Sequence, residues 1–208
     1  MIQHERSIGA AKPTPPYILA FGDSLTAGYG LRRDESFPRQ LELRLATRHP
    51  GAVVNNASVS GDTTTGGRAR LARVLAALLR LPDLAIVELG ANDFIRGIDP
   101  ARTEDNLDAI LTDLARYRIP ALLTGMHAPA ILGTRAIRFN ALYPALAARH
   151  GVTFDPFFLE GVAGRRGYVL ADGFHPNASA IAHVATRILP LVEAALAGSL
   201  APQRDAVA

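Results

Sequence analysis

The sequence has 208 residues, a formal net charge of +3, 49% hydrophobic and 20% charged residues, and no cysteine. That length supports one well-buried core and is short for two domains. The lack of cysteine excludes disulfides, thiolate catalysis and cysteine metal sites, and leaves the redox compartment open. The basic residues are almost all arginine, Lys12 being the only lysine, and they cluster no further than pairs such as Arg32-Arg33 and Arg165-Arg166. Without a basic stripe, no nucleic-acid partner is expected. No apolar run reaches transmembrane length, so no integral membrane segment is expected. Residues 1–16 are polar and proline-containing and lack the apolar centre of a secretory leader. As written the chain reads as cytoplasmic; if a leader was trimmed from it, it reads as periplasmic or exported.

Short apolar runs alternate with amphipathic stretches. Residues 17–21 read as a buried strand ending at Gly22. Residues 36–49 have helical spacing, with Phe37, Leu41 and Leu45 on one face. Residues 52–57 are a second strand, and 64–81 a helix with Leu71, Leu75, Leu78 and Leu79 as its stripe. Residues 84–89 form a third strand, stopped by Gly90. A helix capped by Thr103 follows over 103–117, then a strand at 121–126 and a helix at 134–150. Residues 152–158 are a short strand broken by Pro156, and 178–196 a last helix with a kink expected at Pro190. Strands apolar on both faces, alternating with helices, predict an α/β fold whose parallel sheet is covered on both sides. Such sheets place their sites at the carboxyl ends of the strands. One domain over residues 17–198 is expected, with flexible segments at 1–16 and 199–208.

Four segments carry chemistry. In Phe21-Gly22-Asp23-Ser24, a serine follows a strand end, where its hydroxyl sits at the sheet mouth and its N–H faces a ligand; Asp23 or Ser24 would also serve as a plain helix cap. In Asn56-Ala57-Ser58-Val59-Ser60-Gly61, the glycine lets backbone approach a ligand and offer its N–H. Gly61 and Gly66 have P-loop spacing, but Gly67 and Arg68 stand where that motif needs Lys and Ser or Thr. In Gly90-Ala91-Asn92-Asp93, the asparagine can donate to a developing oxyanion. In Asp172-Gly173-Phe174-His175, an acid three residues from a histidine can orient the imidazole as a general base. No further ligand lies near enough in sequence to complete a metal site. His4, His49, His127, His150 and His183 read as isolated structural or exposed residues. Each motif is weak alone; together they supply a nucleophile, a base, an orienting acid and oxyanion donors, in the order Ser, Asp, His.

These blocks resemble those of the SGNH, or GDSL, hydrolase family. Gly22-Asp23-Ser24-Leu25 is similar to its first block, Gly61 falls at the glycine of the second, Gly90-Ala91-Asn92-Asp93 is similar to the third, and Asp172-x-x-His175 to the last. The stretches around Asn55 to Thr63 and Val87 to Gly90 are similar to the bacterial thioesterase I, lysophospholipase L1 and arylesterase subgroup. The resemblance implies a flavodoxin-like three-layer α/β/α sandwich with five parallel strands and an exposed, shallow site. It implies a carboxylic ester hydrolase with Ser24, Asp172 and His175 as catalytic residues and Ser24, Gly61 and Asn92 as the oxyanion hole. An acyltransferase using the same acyl-enzyme with an alcohol acceptor is the alternative. The G-x-S-x-G elbow of the α/β-hydrolases is absent. Such a mechanism requires no metal and no cofactor, and its partners are small acyl esters or thioesters. Asp23, Phe94 and Ile95 are expected to contact substrate, with residues 94–99 and 157–168 walling a pocket for short to medium acyl chains. The sequence leaves the oligomeric state and the physiological substrate open.

Overall fold

The computed structural model describes residues 14–200, with side chains through residue 198. The expected flexible segments fall outside these residues except for residues 14–16 and 199–200, the last two lying in the final helix. The strands are β1 (Tyr17–Gly22), β2 (Val53–Asn56), β3 (Leu84–Glu88), β4 (Ala121–Thr124) and β5 (Thr153–Asp155). The helices are α1 (Ser24–Ala27), α2 (Phe37–Leu45), α3 (Thr64–Ala77), α4 (Ala91–Ile95), α5 (Pro100–Arg116), α6 (Thr134–His150) and α7 (Ala178–Leu200). All five strands pair in parallel, in the order β2-β1-β3-β4-β5.

The covered parallel sheet expected from the alternation is present. β1, β3 and β4 are buried along their whole length because helices lie on both faces. At the edge, β2 is only half covered: Val54 is buried and Val53 exposed. α2 packs against α7 on one face, while α3, α5 and α6 pack in series on the other. Each presents an apolar stripe inward; on α5 it is Leu107, Ile110, Leu111 and Leu114. The chain leaves β1 toward β2 and then crosses back to β3. The strand order therefore reverses between β1 and β3, whose carboxyl ends meet at the paired residues Gly22 and Glu88. A crevice at such a switch point is where doubly wound sheets place their ligands.

Several expected details differ. α5 begins at Pro100, not Thr103: Asp99 caps it by accepting from the Ala101 N–H at 2.8 Å, and Pro100 takes the first helical position. Thr103 is instead buried in the first turns, its hydroxyl 3.4 Å from Asp93. α3 stops at Ala77 because Leu78 turns to an extended backbone, which leaves Leu79 99% exposed and reduces the buried stripe to Leu71 and Leu75. α7 runs through Pro190 without a break. By length and composition α7 could cross a membrane, a point the sequence reading missed. Its apolar face is occupied here: Ile181, Val184, Ile188, Val192 and Leu196 are buried against the sheet and α2.

Candidate active site

α1 and α4 are too short to show periodicity in sequence, yet they place four of the predicted site residues, Ser24 in α1 and Asn92, Phe94 and Ile95 in α4. Asp23 caps α1 by accepting from the Leu25 N–H at 3.0 Å, which starts the helix at Ser24. The Ser24 side chain reaches the carboxyl-end surface of β1, its Oγ 3.1 Å from His175 Nε2. His175 Nδ1 lies 2.7 Å from Asp172 Oδ2. A carboxylate only accepts, so Nδ1 carries the proton and Nε2 is left to receive one from Ser24. The other Asp172 oxygen accepts the N–H groups of Phe174 at 2.9 Å and His175 at 3.0 Å. The Phe174 N–H and the His175 side chain lead in lowering the Asp172 carboxyl to about 2, so it is ionised at any working pH. An antiparallel bridge between Val169 and Pro176 closes this loop at its base.

Gly61, in the loop after β2, has φ +79°, a conformation that favours glycine. Its carbonyl accepts from Arg96 Nη2 at 2.7 Å, while among the described residues no acceptor takes its N–H or that of Ser24. Arg70 ties this loop to the Ser24 turn. Its guanidinium stacks on Phe21 at 3.9 Å, bonds Asp62 at 2.7 Å and the Gly22 carbonyl at 3.1 Å, and also reaches the Ala57 carbonyl.

Asn92 sits in α4, not in an open turn. Both hydrogens of its Nδ2 already have acceptors, Asp23 Oδ2 and the Asp62 carbonyl, each at 2.9 Å. The expectation that Asp23 contacts substrate does not survive. Its side chain is fully buried and bonds Leu25 and Asn92, so it orients the site from beneath. Glu88 lies beside it, equally buried, with Oε2 accepting from Thr26 Oγ1 at 2.6 Å and Oε1 without a partner among the described residues. Burial is the main cause that raises Asp23 to about 6 and Glu88 well above the ordinary range, the latter also through the Asp23 charge.

Beside Leu25 opens a cavity of about 410 Å³ with an apolar lining. Phe94 and Ile95 line it, and so do Phe157, Leu159, Val162 and Tyr168. Only the start of the 94–99 loop faces it; Arg96 turns to Gly61 and Asp99 caps α5. The sequence reading missed a third wall, Met126 to Pro129, which includes His127 packed 5.7 Å from Phe157. The available signal was positional, since this segment also follows the carboxyl end of a strand. His150, by contrast, bonds Asp108 at 2.9 Å, away from the site.

The family model described as "GDSL-like Lipase/Acylhydrolase family" matches residues 20–180. The chain belongs to the GDSL-like lipase/acylhydrolase family. It is 38% identical to Esterase TesA of Pseudomonas aeruginosa over 177 residues, 85% of this chain and 87% of the relative. It is also 38% identical to thioesterase 1/protease 1/lysophospholipase L1 of Escherichia coli K12, over 78% of this chain and 76% of that one. Among solved structures, AlinE4, titled an SGNH-hydrolase family esterase, superposes with a TM-score of 0.75 at 44% identity, covering 89% of this chain and 99% of that one. The chain is accordingly a GDSL-type serine esterase, and its α/β fold with five parallel strands is the fold of these GDSL relatives.

Proposed function

We propose that this GDSL-type esterase cleaves short to medium acyl esters by two-step acyl transfer through Ser24. The observation that carries the reading is the hydrogen-bonded series Asp172, His175, Ser24, which ends beside the apolar cavity. His175 takes the Ser24 proton as Oγ attacks the carbonyl, then returns it to the departing alcohol or thiol; water repeats the cycle on the acyl-enzyme. The oxyanion is met by the Ser24 and Gly61 N–H groups. Asn92 joins them by moving one hydrogen from the Asp62 carbonyl, since an anion is the stronger acceptor. Asp23 keeps the other hydrogen and holds the amide in place.

Acyl length follows from the cavity. Each methylene placed against its lining contributes about 0.8 kcal/mol, and methylenes beyond its rim contribute little. Ser24→Ala is expected to fold and to lose nearly all hydrolysis. Mass spectrometry after fluorophosphonate treatment is expected to find the adduct on Ser24; an adduct on Ser58 or Ser60 would overturn the assignment. Rates on p-nitrophenyl esters, an acyl-CoA and a lysophospholipid then rank the leaving groups, and added alcohol reveals any acyl transfer.

A further inference from the structure

The His175 imidazole has two faces as well as two nitrogens. Its nitrogens are held by Asp172 and Ser24. Tyr29 covers one face, with ring centroids 4.3 Å apart and planes inclined at 33°. Phe174 meets it edge-on, at 5.1 Å and 85°. The geometry points to Tyr29 as a positioning residue for the candidate base, one that stacks on the imidazole and favours its protonated form during acyl transfer. This inference rests on the proposed role of His175 and adds a residue to it.

The backbone supports the assignment. Tyr29 belongs to the same turn as Ser24: its N–H donates to the Ser24 carbonyl at 3.1 Å, beside the Gly28 N–H at 3.2 Å. Nucleophile and stacking ring are thus fixed relative to each other by one short turn. On the far side of that turn, Gly30 touches the loop that carries His175. A Cβ at Gly30 would come within 2.6 Å of Leu170 Cδ1, so the two segments are closely packed, and the Gly30 φ of +71° is itself a conformation that favours glycine. Tyr29 is half exposed and is not a core residue. No hydrogen bond of its hydroxyl appears among the described residues, so the ring face is what it offers.

The chemistry is that of a cation over an aromatic face. The first step turns neutral imidazole into imidazolium, and an electron-rich ring within about 6 Å attracts that charge. The ionisable groups facing His175 are Asp172, from its own loop, and Asp23, from the nucleophile turn; both carboxylates favour the cation as well. Tyr29 differs from them in covering the ring face, which limits rotation about the side-chain bonds as well as favouring charge.

Three variants test this: Tyr29→Phe, Tyr29→Leu and Ser24→Ala, each measured for kcat, KM and the full pH–rate profile on acetate esters of an aryl and an alkyl alcohol. Tyr29→Leu is expected to lower kcat about two- to fivefold with both esters and to move the acid limb about half a pH unit toward acid. Tyr29→Phe, which keeps the face, is expected to restore both. A purely structural role would lower the rate without moving the limb. The inference is overturned if Tyr29→Leu matches the parent in rate and profile, or if Tyr29→Phe falls as far as Tyr29→Leu. It is also overturned if the loss is confined to KM for the aryl ester, which would put the ring against the leaving group. Activity surviving in Ser24→Ala would instead refute the acyl-transfer reading itself, so the two failures are distinct.

Discussion

Asn92 donates to Asp23 across 2.9 Å, so the acid that precedes the candidate nucleophile holds the amide that follows the neighbouring strand. The contact is possible because β1 and β3 are paired with Gly22 opposite Glu88, which brings the two strand ends side by side. A single carboxylate thereby caps the helix of Ser24 and aims Asn92.

Removing the aimed amide should be felt in the transition state. Asn92→Ala is expected to lower kcat by about 10²–10³ with little change in KM, the usual loss for one oxyanion donor. Asp23→Ala, which frees the amide without deleting it, is expected to give a smaller loss in the same direction. Steady-state kinetics on one ester decides the matter; an effect confined to KM would make Asn92 a ground-state contact.

The same carboxylates set a pH dependence of stability with an unusual sign. Asp23 is raised from 3.8 to about 6 by burial, so between about 4 and 6 the folded chain binds protons that the unfolded chain has released. Stability from this group therefore falls as pH rises through that window and stays lower above it. Glu88, also raised by burial well above its ordinary range, contributes a loss of stability in the same direction as pH rises. Glu88→Gln removes its share, so its advantage in melting temperature over the parent is expected to grow from pH 5 to pH 8. An advantage that does not vary with pH would show that the pair does not titrate. Asp172, lowered to about 2, acts oppositely: its contribution is present above 3.8 and is lost toward 2, and its exposure keeps it small.

Asp172 stays ionised down to about 2, so a loss of kcat/KM at higher pH does not come from protonation of this carboxylate. Asp172→Asn is expected to reduce kcat by up to ~10⁴ by disturbing the imidazole's tautomer and its charge balance. A fully active Asp172→Asn would mean that the pair is structural.

Acyl selectivity tests the cavity wall. Phe94 packs 5.1 Å from Phe139 and lies under Arg135 at 4.0 Å, so Phe94→Ala disturbs α6 as well as the lining. Ile95 is 59% exposed and lines the cavity, which makes Ile95→Ala the cleaner probe. Val162→Phe, which adds bulk at another lining residue, is expected to shift the optimum to shorter chains. A chain-length profile from acetate to long acyl esters that neither variant moves would place the acyl group elsewhere.

The sequence was most legible where the chain is buried on both sides. β1, β3 and β4 are continuous apolar runs because helices cover both faces, and glycine or a polar residue ends each. It was least legible where geometry depends on pairing. Nothing local says that Glu88 lies against Asp23; only the strand register brings them together. α1 and α4 have four and five residues, less than the span over which a helical period shows. The start of α5 was legible and missed, since Asp99-Pro100 is a stronger opening than Thr103. Tyr29 and His127 belong to no catalytic spacing and emerge only when loops from different strands converge.

The Val169–Pro176 bridge has a consequence for how such an enzyme loses function. Within residues 165–177 nearly all backbone bonds are internal: Leu170 to the His175 carbonyl, Asn177 to the Tyr168 carbonyl, and the Asp172 oxygens to Phe174 and His175. The segment is thus a preassembled unit, joined to its surroundings by the Ser24 bond, by contacts with Tyr29 and Gly30, and at α7 by Asn177 and by Tyr168 against His183. Because Asp172 and His175 belong to one such unit, a displacement of the loop is expected to carry both away together with their mutual geometry kept. Local opening of this loop is then expected to abolish activity on gentle heating before the strands beneath unfold, and activity recovered on cooling, with the far-ultraviolet signal unchanged throughout, would check it.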